Sequence, residues 1–72
     1  MEEKVYKNLG KKIRKYRLKK RMTQEELAEQ LDVNPKYIGH IERAERKPGL
    51  ARLIKLAQIL DIKLKDLFDF DY

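Results

Sequence analysis

Residues 22–43, MTQEELAEQLDVNPKYIGHIER, read as two short helices joined by a tight turn, and the rest of the 72-residue chain is arranged around them. Thr23 is a residue type that caps the free amides of an opening turn, and Glu26, three positions later, completes a capping box. Met22 before the cap and Leu27 inside the helix have the spacing of a hydrophobic staple, and Leu27, Ala28 and Leu31 share one face. Asp32 tolerates the left-handed backbone that ends a helix. The pattern then repeats, with Asn34 as cap, Pro35 at the first helical position, and Val33 with Ile38 as a second staple. Two caps this close force a short connection and a steep crossing, the arrangement that sets a second helix into the major groove of DNA.

The wheel of that second helix separates two roles. Ile38 and Ile41 fall on one side, and Lys36, His40 and Arg43 on the other, with Tyr37 at the border and Gly39 flanking the polar stripe. Such a helix can be anchored by its isoleucines while long cations and an imidazole reach base edges. A face of this composition on an isolated helix is more often solvated surface. The helix-turn signature beside it is what favours a binding role.

Composition narrows the rest. Seventy-two residues make one domain near the lower size for a stable core, and the apolar, glycine-poor and proline-poor content indicates an all-α fold. There is no cysteine to form disulfides or thiolate metal sites, and no cofactor or metal is expected. No apolar run approaches a membrane span, and the first residues lack a signal-peptide pattern, so a cytoplasmic protein is expected. An enzyme is not: one histidine and no carboxylate pair in an apolar setting supply no acid–base chemistry.

Net charge is +6, and its distribution is uneven. Residues 1–21 hold ten Lys/Arg against two Glu, residues 22–33 hold four acids and no base, and residues 34–49 hold four bases and two acids. That basic footprint points to a polyanion partner. The first helix is expected at about residues 3–20, with Val5, Leu9, Ile13 and Tyr16 as its apolar stripe and Leu18 off it. A basic amphipathic helix also suits a membrane surface, but here the following helices give the stripe something to cover. The recognition helix is expected over 35–44, a fourth helix over 50–60 with Leu50, Leu53, Ile54, Ala57 and Leu60 towards the core, and a short fifth over 64–68. Arg46 and Lys47 lie just past the recognition helix, placed to clamp a phosphate backbone. The aromatic tail, Phe70 and Tyr72, either covers the core or meets a second subunit.

R-x-x-R at Arg14 and Arg17, MTQEELAEQL over 22–31, Y-I-x-x-I-E-R over 37–43 and R-K-P over 46–48 resemble the Cro/repressor (XRE) type of helix-turn-helix domain over about residues 13–68. The resemblance implies a five-helix, lambda-repressor-like DNA-binding domain in a transcriptional regulator. It implies that Gln24 grips a phosphate and braces the recognition helix, and that Asn34, Lys36, Tyr37, His40 and Arg43 touch bases or phosphates, with Pro35 and Gly39 in the same surface. It also implies a partly buried ion pair between Arg17 and Glu42. The chain departs from the pattern at Arg21, Asp32 and Ala44, where glycine is common; Arg21 and Ala44 carry strain if their backbones are left-handed.

Lys36, Arg43, Arg46 and Lys47 are then expected to hold phosphates, while Lys36 and His40 read bases. One such helix spans few base pairs, so a homodimer on a palindromic operator of double-stranded DNA is expected, its interface built from Leu60, Leu64, Leu67, Phe68, Phe70 and Tyr72. Contact with RNA polymerase or a toxin protein is a further expectation. An antitoxin or other protein-interaction module is the alternative function, and single-stranded RNA binding is disfavoured by the placement of most aromatics on apolar faces or in the tail.

Overall fold

The computed structural model describes residues 1–71, which places the expected contribution of Tyr72 outside the described residues. The chain forms α1 (Glu2–Lys19), α2 (Gln24–Leu31), α3 (Pro35–Glu42) and α4 (Leu50–Ile59), followed by a 3-10 turn at Leu64–Phe68. The architecture is all-helical with four α-helices among the described residues, so the expectation of five is corrected. The last segment has only five residues, too short to repay α-helix nucleation, and the tighter 3-10 winding suffices to drop Leu67 into the core.

The two motif helices begin as their caps dictate. Thr23 Oγ1 accepts the Glu26 amide at 3.0 Å while Glu26 Oε1 accepts the Thr23 amide at 2.9 Å. Asn34 Oδ1 accepts the Lys36 amide at 2.9 Å, with Pro35 as the first helical residue. Met22 and Val33, the staple residues, lie half-buried against the core.

All four helices end in the same way. Arg21, Asp32, Ala44 and Asp61 are left-handed, with φ of 57°, 61°, 61° and 56°. Each corner closes with a pair of backbone bonds in the Schellman pattern: Met22 N–H to Arg17 O and Arg21 N–H to Leu18 O after α1, and the equivalent pairs from Val33 and Asp32, Glu45 and Ala44, and Ile62 and Asp61. These bonds satisfy carbonyls that would otherwise be orphaned at the helix ends. They also explain why α3 stops at Glu42 rather than residue 44. Aspartate tolerates this backbone; Arg21 and Ala44 hold it at a steric cost of roughly 1–2 kcal/mol.

Leu9 and Ile13 from α1, Leu27, Ala28 and Leu31 from α2, Ile38 and Ile41 from α3, Leu53, Leu56 and Ala57 from α4, and Leu60 and Leu67 beyond them form one buried cluster. Leu18 is exposed. The face expected for α4 needs correction: Leu56 is fully buried, while Leu50 and Ile54 are 64% and 43% exposed. At 100° per residue the apolar arc of α4, from Ile59 through Leu56 round to Ile54, covers about 220°, and the other helices cover only part of it.

Gly10 fixes how closely α1 approaches α3. A Cβ placed on Gly10 would lie 2.5 Å from the carbonyl oxygen of Glu42 and 2.6 Å from that of Ile41. Here glycine supplies room, not conformational freedom, since α1 is regular helix at this point.

Candidate nucleic-acid interface

The position of α3 rests on a buried charge cluster. Arg17, on the last turn of α1, donates from Nε and Nη2 to the two carboxylate oxygens of Glu42 at 2.6 and 3.1 Å, and from Nη1 to the Met22 carbonyl at 2.8 Å. Gln24 Nε2 donates to Glu42 Oε1 at 3.1 Å. Three helices therefore meet at one carboxylate. The side chains of Arg17 and Glu42 are 8% and 4% exposed, and no buried side-chain polar atom lacks a partner among the described residues. Removing the pair from water is costly, and its geometry offsets that cost only because the guanidinium fork is matched and its third nitrogen is also bonded.

With α3 so held, Ile38 and Ile41 point into the core and the opposite side is presented outward. Pro35 and Lys36 are exposed at its start, His40 is half-exposed one turn on, and Arg43 is exposed at its end. Tyr37 lies half-buried at the edge of a shallow concavity of about 370 Å³ that is also lined by Asn34, Lys36, His40, Arg46 and Arg52. Its ring is flanked by two guanidinium groups: Arg52 Cζ stands 4.6 Å from the ring centre and Arg46 Cζ 5.9 Å. The two cations are thereby fixed beside the recognition helix by attraction to the ring face. A second cleft, beside α1, is lined by Arg14, Gln24 and Arg43 above the Arg17–Glu42 pair.

Of the expected site residues, Asn34, Lys36, Tyr37, His40 and Arg46 line one concavity, Gln24 and Arg43 share the cleft beside α1, and Arg43 and Lys47 line a third with Tyr6. Asn34 is occupied as a helix cap and Gln24 as a brace for Glu42. Gly39 is buried, and the Arg43 guanidinium lies back over it: a Cβ there would stand 3.0 Å from Arg43 Nη1. Lys47 bonds Glu2 at the start of α1 and stands 5.2 Å from the Tyr6 ring. Of the residues expected to join two subunits, Leu60 and Leu67 are buried in the core of a single chain and offer no side-chain surface to another. Leu64, Phe68 and Phe70 are half-buried.

Sequence reading missed Arg52 and Glu45. Arg52 is fifteen positions from Tyr37 and on another helix, so only tertiary packing brings it there. Glu45 had a signal: it follows the corner that turns the chain back over α3. Its Oε1 accepts from His40 Nδ1 at 2.8 Å and from Arg43 Nε at 3.1 Å. These bonds, the one from His40 first, hold the Glu45 carboxyl below its ordinary value of 4.5. The bond from Lys47 does the same for Glu2, and Glu2 in return raises Lys47. Lowered carboxyl values favour the folded chain above about pH 4.5, and that contribution is lost as the pH falls through the depressed values. No group of three or more His, Cys, Asp or Glu arranged to hold a metal occurs among the described residues, and no helix there is long and apolar enough to cross a membrane.

Comparison with known proteins agrees with this geometry. A helix-turn-helix family model matches residues 13–67. The control protein C.BamHI of Bacillus amyloliquefaciens is 42% identical over 62 residues, covering 85% of this chain and 76% of that protein. The restriction-modification controller protein C.AhdI of Aeromonas hydrophila superimposes with a TM-score of 0.83 at 35% identity, over 88% of this chain and 96% of that one. SinR, the master regulator for biofilm formation, solved in complex with DNA, gives a TM-score of 0.78 at 34% identity, over 85% of this chain and 98% of that one. With the match spanning both motif helices, the core and the last turn, the chain belongs to the helix-turn-helix family of the Cro/repressor (XRE) type, whose members are DNA-binding transcription regulators and not enzymes.

Proposed function

We propose that the protein is a transcription regulator that binds a specific double-stranded DNA site as a homodimer, each α3 entering the major groove of one half of a palindrome. The observation that carries this reading is the orientation of α3, with Ile38 and Ile41 inward and Lys36, His40 and Arg43 outward, Lys36 and His40 lining a concavity shared with Arg46 and Arg52. Similarity to SinR, which was solved with DNA, and to restriction-modification controller proteins supports it.

Cations at Arg46, Lys47 and Arg52 hold phosphates and release counterions, which gives affinity without sequence preference. To do so Lys47 exchanges its bond to Glu2 for one to a phosphate, a substitution that costs little because both groups are exposed. Lys36 and His40 reach base edges, lysine favouring the O6 and N7 acceptors of guanine.

Binding to a mixed-sequence duplex is expected to fall by roughly 0.9 log unit per log unit of salt for each phosphate neutralised. Lys36→Ala and His40→Ala should each reduce preference for a selected site by about 1–3 kcal/mol while leaving random-duplex binding less affected. Arg46→Ala and Lys47→Ala should weaken both duplexes alike. Equal losses in all four variants defeat this division of roles, and absent or salt-independent duplex binding favours a protein-interaction module such as an antitoxin.

The dimer surface in this reading includes the outward part of the α4 apolar arc, Leu50 and Ile54, together with Leu64, Phe68 and Phe70 of the last segment. Exposed leucine and isoleucine four residues apart on one helix are apolar area that a second copy removes from water. Sedimentation equilibrium on Ile54→Lys should give half the mass of the unaltered protein at the same concentration. A mass that does not change excludes α4 from the contact.

A further inference from the structure

Glu45 places a negative charge inside a cationic surface, and the way α3 ends makes that placement conspicuous. After α1, α2 and α4 the residue just past the left-handed corner is Met22, Val33 or Ile62, an apolar side chain packed on the core, as the Schellman geometry favours. After α3 it is Glu45, exposed, its carboxylate at the C-terminal end of a helix, where the macrodipole disfavours an anion. The residue is poorly suited to stabilising the fold. What it does instead is occupy the donors of the groups placed to meet DNA: His40 Nδ1 at 2.8 Å, and Arg43 Nε and Nη2 at 3.1 Å. Gly39 eases the arrangement, since a Cβ there would stand 3.0 Å from Arg43 Nη1 and push back the guanidinium that lies along the helix.

We propose that Glu45 is a specificity-determining residue of the DNA-reading surface, holding Arg43 and His40 against the protein until a base sequence satisfies all three groups. The inference rests on the duplex-binding reading above. An ionised carboxylate only accepts hydrogen bonds, so against a phosphate backbone it finds no partner and is repelled. In the major groove its partners are the amino groups of cytosine and adenine, whereas Arg43 seeks the O6 and N7 acceptors of guanine. A phosphate can take Arg43 from Glu45 but leaves the carboxylate stranded beside a polyanion. A G·C pair, or a step containing guanine and an amino-bearing base, gives each group a partner. Glu45 therefore penalises random duplex and spares the target, and specificity is that difference.

The test uses Glu45→Gln, which keeps the shape and removes the charge, and Glu45→Ala. Each is titrated with random-sequence duplex and with duplex selected by the unaltered protein from a random pool. Random-duplex affinity is expected to rise about five- to tenfold at roughly 0.1 M salt in both variants, as removing one opposing charge adds about one counterion to the release. Selected duplex should gain about twofold or less, because a lost base contact offsets the electrostatic gain, and reselection should show relaxed preference at one base pair per half-site. Unchanged random-duplex affinity, or an equal gain on both duplexes with the selected motif intact, overturns the proposal while leaving the DNA-binding reading in place. Failure of the unaltered protein to bind any duplex removes both.

Discussion

Arg17→Ala should lower the unfolding free energy by about 3–5 kcal/mol, because it leaves the Glu42 carboxylate buried without its guanidinium. In a domain of this size each kcal/mol moves the midpoint by roughly 4–8 °C, so a thermal melt by circular dichroism reads the loss directly. Glu42→Ala should cost a similar amount, since it strands the guanidinium and also releases Gln24 and the three-helix junction. The informative variant is the double replacement Arg17→Met with Glu42→Leu. Burying two apolar side chains of similar volume removes both desolvation costs, and stability should return close to that of the unaltered protein or exceed it. If either single replacement melts within a few degrees of the parent, the pair is a surface contact in solution and does not hold α3.

Gly10→Val is the second large effect expected. In most exposed helix interiors replacing glycine is favourable, by about 1 kcal/mol for alanine. At Gly10 the added carbon meets the backbone carbonyls of Ile41 and Glu42 at 2.6 and 2.5 Å, and those atoms belong to a packed helix rather than a movable side chain. Overpacking of this kind costs about 1–3 kcal/mol and more when backbone must shift, so the net effect of valine is destabilising despite any relief in the helix. The displaced element would be the C-terminal turn of α3, which carries Arg43. The same variant should therefore lose duplex affinity at temperatures where it remains folded. Gly10→Ala should do less of both, and a gain in stability with either residue would mean that α1 sits farther from α3 than described.

Much of this fold can be read from local chemistry because it is specified locally. Thr23 with Glu26, and Asn34 with Pro35, mark where the motif helices begin, since a cap works through atoms two or three residues away. The inward side of α3 follows from Ile38 and Ile41 alone. The resemblance carried the Arg17–Glu42 pair, twenty-five positions apart, which no periodicity would have joined. Where the reading departed from the structure, the deciding contact was between elements. Leu50 and Ile54 satisfy the helical period as well as Leu56 does, and which part of a wide apolar arc is covered depends on where the other helices stop. Gly10 carries no local sign of its role, which lies in what faces it. Arg52 and Glu45 acquire roles from Tyr37 and from the His40–Arg43 pair, each brought alongside by a corner in the backbone.

Those corners bear on how the protein can change. None of the four left-handed positions is glycine, and two of them, Arg21 and Ala44, are residue types that hold such a backbone reluctantly. A lineage that suffers a damaging substitution in its interior thus has remedies elsewhere: glycine at position 21 or 44 relaxes a joint and restores sturdiness without altering any of the side chains that meet DNA in the proposed complex. The binding surface is in this sense free to drift towards new targets, its losses in durability recoverable at the bends.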